Sequence, residues 1–190
     1  VILYMFQSVS KFILRVLGWK MVGQLPNEKK FIIIIGPHTS NWDFILGMVV
    51  RGAMAANVRF LAKHQLFNAP YGWFFRWLGG SPVYRHKDNN LVDQVVAMYE
   101  NHDEFILGIA PEGTRSEIKR WKSGFYHIAC KANVPIEMVG FDFKSKEVRF
   151  REPFMPTGDI DVDFPVILDY FRSIDGCHPK NIPHHLPAEK

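Results

Sequence analysis

His38 and Asp43 stand five residues apart in Gly36-Pro37-His38-Thr39-Ser40-Asn41-Trp42-Asp43, directly after an apolar, β-branched run. If the chain turns between them, the carboxylate accepts a proton from one imidazole nitrogen. That fixes the tautomer and leaves the other nitrogen as a general base. It is the His–Asp half of a nucleophilic triad without the serine. An enzyme whose substrate brings its own hydroxyl needs only that half. The same spacing also describes a helix-capping Asp beside a surface His.

A second polar loop, Ala110-Pro111-Glu112-Gly113-Thr114-Arg115-Ser116, again follows a buried run. Gly113 lets backbone approach a ligand, and backbone N–H groups in such turns bind anions. Arg115 offers a planar fork for phosphate or carboxylate. Glu112 would hold that arginine or orient a hydroxyl. The bland alternative is a polar turn with a local ion pair. A third loop, Gly80-Ser81-Pro82-Val83-Tyr84-Arg85, offers Arg85 as a second phosphate ligand. Lys63 and Lys122 are further cations near strand ends, where solvated surface charge is the simpler reading. Trp73, Phe74, Phe75 and Trp77 read as core rather than as the wall of an acyl site. Cys130 reads as buried core. Cys177, His178, His184 and His185 sit in a Pro-rich tail, so no metal site is expected there.

The elements that must position these residues alternate between strand and helix. Strands are expected at 31–35, 58–62, 83–84, 105–110 and 136–143, with 148–150 returning as a hairpin. Helices are expected at 41–56, 69–78, 89–101, 122–132 and 163–174, the last with Pro165 in its first turn. The alternation predicts an α/β fold: a mixed, mostly parallel sheet flanked by helices on both faces. Loops at the C-terminal ends of such strands are where a site belongs. The tail from residue 177 reads as irregular.

At 190 residues the chain fits one domain. A hydrophobic share of 47% against 22% charged excludes intrinsic disorder. Two cysteines without paired spacing exclude a disulfide scaffold and suit a reducing compartment. The net charge of +4 favours anionic partners, but the basic residues form no stripe, which disfavours nucleic acid. Residues 1–23 are apolar but broken by Lys11 and Arg15, so they read as neither a spanning helix nor a secretory signal. Gln7, Lys11 and Arg15 share one helical face; Phe6, Val9, Ile13, Val16 and Leu17 lie on the other. Such a helix either lies in a membrane interface or packs on its own core.

His38-x4-Asp43, Gly80-x4-Arg85, Glu112-Gly113-Thr114-Arg115 and Val134-Pro135-Ile136 form four ordered blocks. Together they resemble the glycerolipid acyltransferases of the 1-acylglycerol-3-phosphate acyltransferase type, over about residues 12–143. Two positions depart from that pattern: Glu137, where the strand usually stays apolar, and Gln65, where an acidic residue is common. The resemblance implies a single acyltransferase domain over 1–190, with 1–25 as an amphipathic, membrane-contacting segment. It implies acyl transfer from an acyl-CoA or acyl carrier protein thioester to the hydroxyl of a lysophosphatidate-like glycerolipid, in phospholipid biosynthesis. His38 and Asp43 would be catalytic. Arg85, Glu112, Gly113, Thr114 and Arg115 would bind the acceptor phosphate, supported by Lys63, Gly80 and Lys122. No metal, cofactor or covalent acyl-enzyme is implied. The implied partners are the thioester donor, a lysolipid acceptor and anionic membrane, and the implied location is peripheral, on the inner face of the cell membrane. Alternatives are another acceptor (a lysophospholipid or lipo-amino acid) or a catalytically idle lipid-binding protein.

Overall fold

The computed structural model describes residues 2–84 and 90–183. Among them, one sheet of seven strands runs in the order β1-β7-β6-β2-β5-β3-β4. The strands are β1 (Lys20–Val22), β2 (Lys30–Gly36), β3 (Val58–Lys63), β4 (Gly80–Val83), β5 (Phe105–Ile109), β6 (Ile136–Asp142) and β7 (Glu147–Phe150). Every neighbouring pair is parallel except β6 with β7, which form the expected hairpin.

Helices cover both faces, as the alternation requires. β2 shows why: Phe31 and Ile33 point to one side, Ile32 and Ile34 to the other, and all four are buried. Phe31 and Ile33 join Leu14 of α1 (Ile2–Val16) and Leu46, Val50 and Ala53 of α2 (Asn41–Met54). Ile32 and Ile34 join α4 (Leu91–Glu100), α5 (Gly124–Ala132) and α6 (Ile160–Arg172), through Val95, Tyr99, Phe125, Phe164 and Phe171. A seven-residue strand buried on both faces is the reason for its unbroken apolar run.

Three differences from the sequence reading have physical causes. β1 was not expected; it has three exposed residues and carries no burial pattern to read. α6 begins at Ile160, because Asp159 accepts a hydrogen bond from the Asp161 N–H and caps it there. The aromatic run is not core. It lies on the short α3 (Gly72–Trp77), and Trp73 and Trp77 are 69% and 70% exposed.

α1 is amphipathic in an unexpected sense. Ser10 and Leu14 are buried, and Gln7 donates to the Ala53 carbonyl at 3.1 Å, so its inner face is partly polar. Phe6, Val9, Phe12, Val16 and Leu17 are all more than half exposed. Most of the apolar stripe thus faces away from the core, while the Phe6 ring lies against Gly52 of α2 and Ile13 is half-buried. Among the described residues, no helix is long and apolar enough to cross a membrane.

Candidate active site

β2, β5, β3 and β4 are parallel neighbours, so their C-terminal loops meet at one edge of the sheet. The β2 loop delivers His38. Ser40 caps α2, its hydroxyl accepting from the Trp42 N–H at 3.2 Å. Asp43, in the first turn, reaches back to complete a capping box. One oxygen, Oδ2, accepts from the Thr39 N–H at 2.7 Å, the Ser40 N–H at 2.8 Å and His38 Nδ1 at 3.0 Å. Both readings of the spacing therefore hold at once: Asp43 caps a helix and orients an imidazole. With Nδ1–H donated to a carboxylate, Nε2 is the free base. The imidazole is partly exposed, while the Asp43 carboxylate is buried.

The β5 loop sits beside it, since Ile34 and Ile109 are register partners. Of the two roles expected for Glu112, holding Arg115 is not the one the structure shows. Its carboxylate accepts from the His38 backbone N–H at 2.7 Å and from the Lys180 ammonium. Arg115 instead donates to the Asn41 side chain and remains exposed. Gly113 adopts φ +65°, and a side chain there would collide with Lys122, which lies against it. Thr114 directs its hydroxyl to the Ser116 N–H at 3.3 Å. Gly80, at the start of β4, has no room for a side chain: the Phe75 carbonyl and the Phe67 ring stand 2.8 and 2.9 Å from where a Cβ would lie. Lys63 is exposed at the end of β3. Val134 and Ile136 are buried, and Pro135 accepts from the Ile32 N–H at the entry to β6. Arg85, His184 and His185 lie outside the described residues. Cys130 is half-buried against the α4–α6 core.

A cavity of about 620 Å³ runs from this edge into the protein. His38, Asp43, Gly113 and Lys122 line its polar end; Ile33, Ile35, Phe44, Met48, Met54, Phe60 and Phe141 are among its apolar walls. Its size is that of a small-molecule site. A hydrogen-bonded His–Asp pair at one end of an apolar cavity is built to act on the head of an apolar molecule.

A family model described as Acyltransferase matches residues 20–141. The chain belongs to the acyltransferase family. It is accordingly read as an acyltransferase enzyme. Its fold is similar to that of a solved structure, the 1-acyl-sn-glycerophosphate (LPA) acyltransferase PlsC from Thermotoga maritima. The two are 19% identical, with a TM-score of 0.61 over 90% of this chain and 77% of that one. No curated protein sequence matches the chain.

Sequence reasoning missed Lys180. It comes from the tail that read as irregular and lies outside the matched residues, yet its side chain is only 4% exposed. No local pattern marks it; only the tertiary fold brings it to the site.

Proposed function

We propose that this acyltransferase moves a fatty acyl group from a thioester of coenzyme A or acyl carrier protein to the hydroxyl of a lysophosphatidate-like glycerolipid. The observation that carries the reading is the His38 Nδ1–Asp43 Oδ2 contact of 3.0 Å at the polar end of the apolar cavity. The acceptor hydroxyl gives its proton to His38 Nε2 as its oxygen attacks the thioester carbon. The carbon–sulfur bond then breaks, and the proton passes from Nε2 to the leaving thiolate. The Asp43 carboxylate stabilises the imidazolium between the two transfers. Arg115 and Arg85 are the cations for the acceptor phosphate, and the apolar cavity takes an acyl chain. The thioester supplies the activated carbonyl, so the chemistry calls for no metal, cofactor or acyl-enzyme. The whole chain of 190 residues acts as one domain in this reading.

The substrates are amphiphiles, so the protein docks peripherally on a membrane, in this reading the inner face of the cell membrane. The exposed apolar residues of α1, beside the exposed Lys11 and Arg15, suit an anionic lipid surface. Phe12→Ser with Val16→Ser should reduce co-sedimentation with anionic vesicles and leave the thermal midpoint unchanged, because both side chains point outward. Equal sedimentation would assign docking to the α3 aromatics instead.

The activity test is incubation of purified protein with lysophosphatidate, other lysolipids and a lipo-amino acid. Acyl-CoA and acyl carrier protein donors are supplied in separate arms, and products are identified by mass. Phosphatidate as the main product supports the proposal. A different acylated lipid moves the acceptor assignment. No product from any pair, with folded protein, leaves an idle lipid-binding protein as the reading.

A further inference from the structure

The tail crosses the two catalytic loops as a strap. The His178 N–H donates to the Thr39 hydroxyl at 3.2 Å, and the Asn181 N–H donates to Glu117 at 3.2 Å. Ile182 is buried in the α4–α6 core. Between these anchors Lys180 points inward. Its ammonium donates to the Glu112 carboxylate, to the His38 carbonyl at 2.9 Å and to the Thr114 carbonyl at 3.2 Å. An ammonium has three donors, and all three are committed to the protein. None remains for a substrate phosphate, which would need an exposed cation. Its acceptors come from both loops: His38 from the β2 loop, Glu112 and Thr114 from the β5 loop. Glu112 in turn holds the His38 N–H at 2.7 Å. The β2 and β5 loops are thus joined at His38 through one buried ion pair.

We infer that Lys180 is a positioning residue for acyl transfer: it neutralises Glu112 and locks the backbone on which His38 is mounted. The inference rests on the acyl-transfer reading. Displacement of a general base by about 1 Å costs on the order of 100-fold in rate. A positioning role therefore appears in kcat rather than in substrate affinity.

The test compares wild type with Lys180→Met and Lys180→Arg in the full chain. Lys180→Met should lower kcat roughly 10- to 100-fold with both KM values within about twofold. Lys180→Arg, which keeps the charge and several donors, should recover much of that loss. Wild-type kcat in Lys180→Met overturns the inference, as does a loss confined to the acceptor KM, which would make Lys180 a phosphate ligand. If Lys180→Met does not fold, the double variant Glu112→Gln with Lys180→Met removes the unpaired buried charge and keeps an acceptor for the His38 N–H. A folded double variant at least about tenfold below wild type supports the inference; wild-type turnover overturns it. If wild type itself transfers no acyl group, the functional reading fails separately. The backbone amide resonance of His38 then decides: it should move in Lys180→Met and stay near wild type in Lys180→Arg, and no movement in Lys180→Met overturns the inference.

Discussion

Among the described residues two glutamates are buried, Glu112 and Glu137, and they are treated in opposite ways. Glu112, in the β5 loop, accepts from the His38 N–H and pairs with Lys180. Glu137, in the middle of β6, is 0% exposed, and neither of its oxygens has a partner among the described residues. It lies between Ile136 and Met138, which face α4–α6, so its side chain points toward α1 and α2. Burial, with a smaller contribution from Glu28, pushes its carboxyl up to about 8. Where charge serves the site it is kept and compensated. At Glu137, buried without a partner among the described residues, the protein holds a neutral acid and its stability becomes pH-dependent.

The largest expected effect tests the compensated side. His38→Ala should lower turnover roughly 10²- to 10⁴-fold while the thermal midpoint holds, because a partly exposed loop imidazole contributes chemistry rather than packing. Asp43→Asn should fall in the same range with α2 intact, since an amide oxygen can keep the two backbone hydrogen bonds but carries no charge. Steady-state rates and far-UV circular dichroism check both; an active His38→Ala protein would remove the general base from the mechanism.

Next is Glu112→Ala. It strands a buried ammonium and the His38 N–H, so denaturant unfolding should show a loss of about 3–5 kcal/mol. Glu137→Gln should do the reverse. Below the ordinary carboxylate value of 4.5 both folded and unfolded chains hold the proton, and burial costs least. Between there and about 8 the unfolded chain releases it while the folded chain retains it, so stability falls as pH rises. The slope approaches roughly 1.4 kcal/mol per pH unit within that window. Glu137→Gln should be the more stable protein at neutral pH and lose that slope. Parallel midpoint-against-pH curves from 5 to 8 would erase the contrast between the two glutamates.

The smallest effect lies at the exposed end of the Glu112 loop. Arg115→Ala should raise the acceptor KM about tenfold and leave the donor KM unchanged, as expected for one charge-assisted contact. A rise in the donor KM alone would move Arg115 to the thioester end.

Much of this was legible beforehand. β2, β5 and β6 announce themselves as apolar runs, because strands covered on both faces have no polar side to alternate with. The His38–Asp43 pair was legible because its partners lie only five residues apart, one in the β2 loop and one in the first turn of α2. β4 was less so: Pro82 argues against a strand, and is tolerated because β4 is the sheet edge. The exposure of Trp73 and Trp77 was misread, since aromatic content does not say which way a six-residue helix faces. Glu137 stood out in an apolar strand, but its lack of a partner is a tertiary fact. Lys180 was invisible because its partners lie 66 to 142 residues away.

One oxygen atom, Asp43 Oδ2, both fastens the first turn of α2 and aims the imidazole. In the proposed mechanism, any opening of that turn therefore also withdraws the carboxylate from the imidazole. Helix ends open far more readily than a sheet centre. On warming, the protein should become silent while its seven strands are still in place, and recover without refolding when cooled.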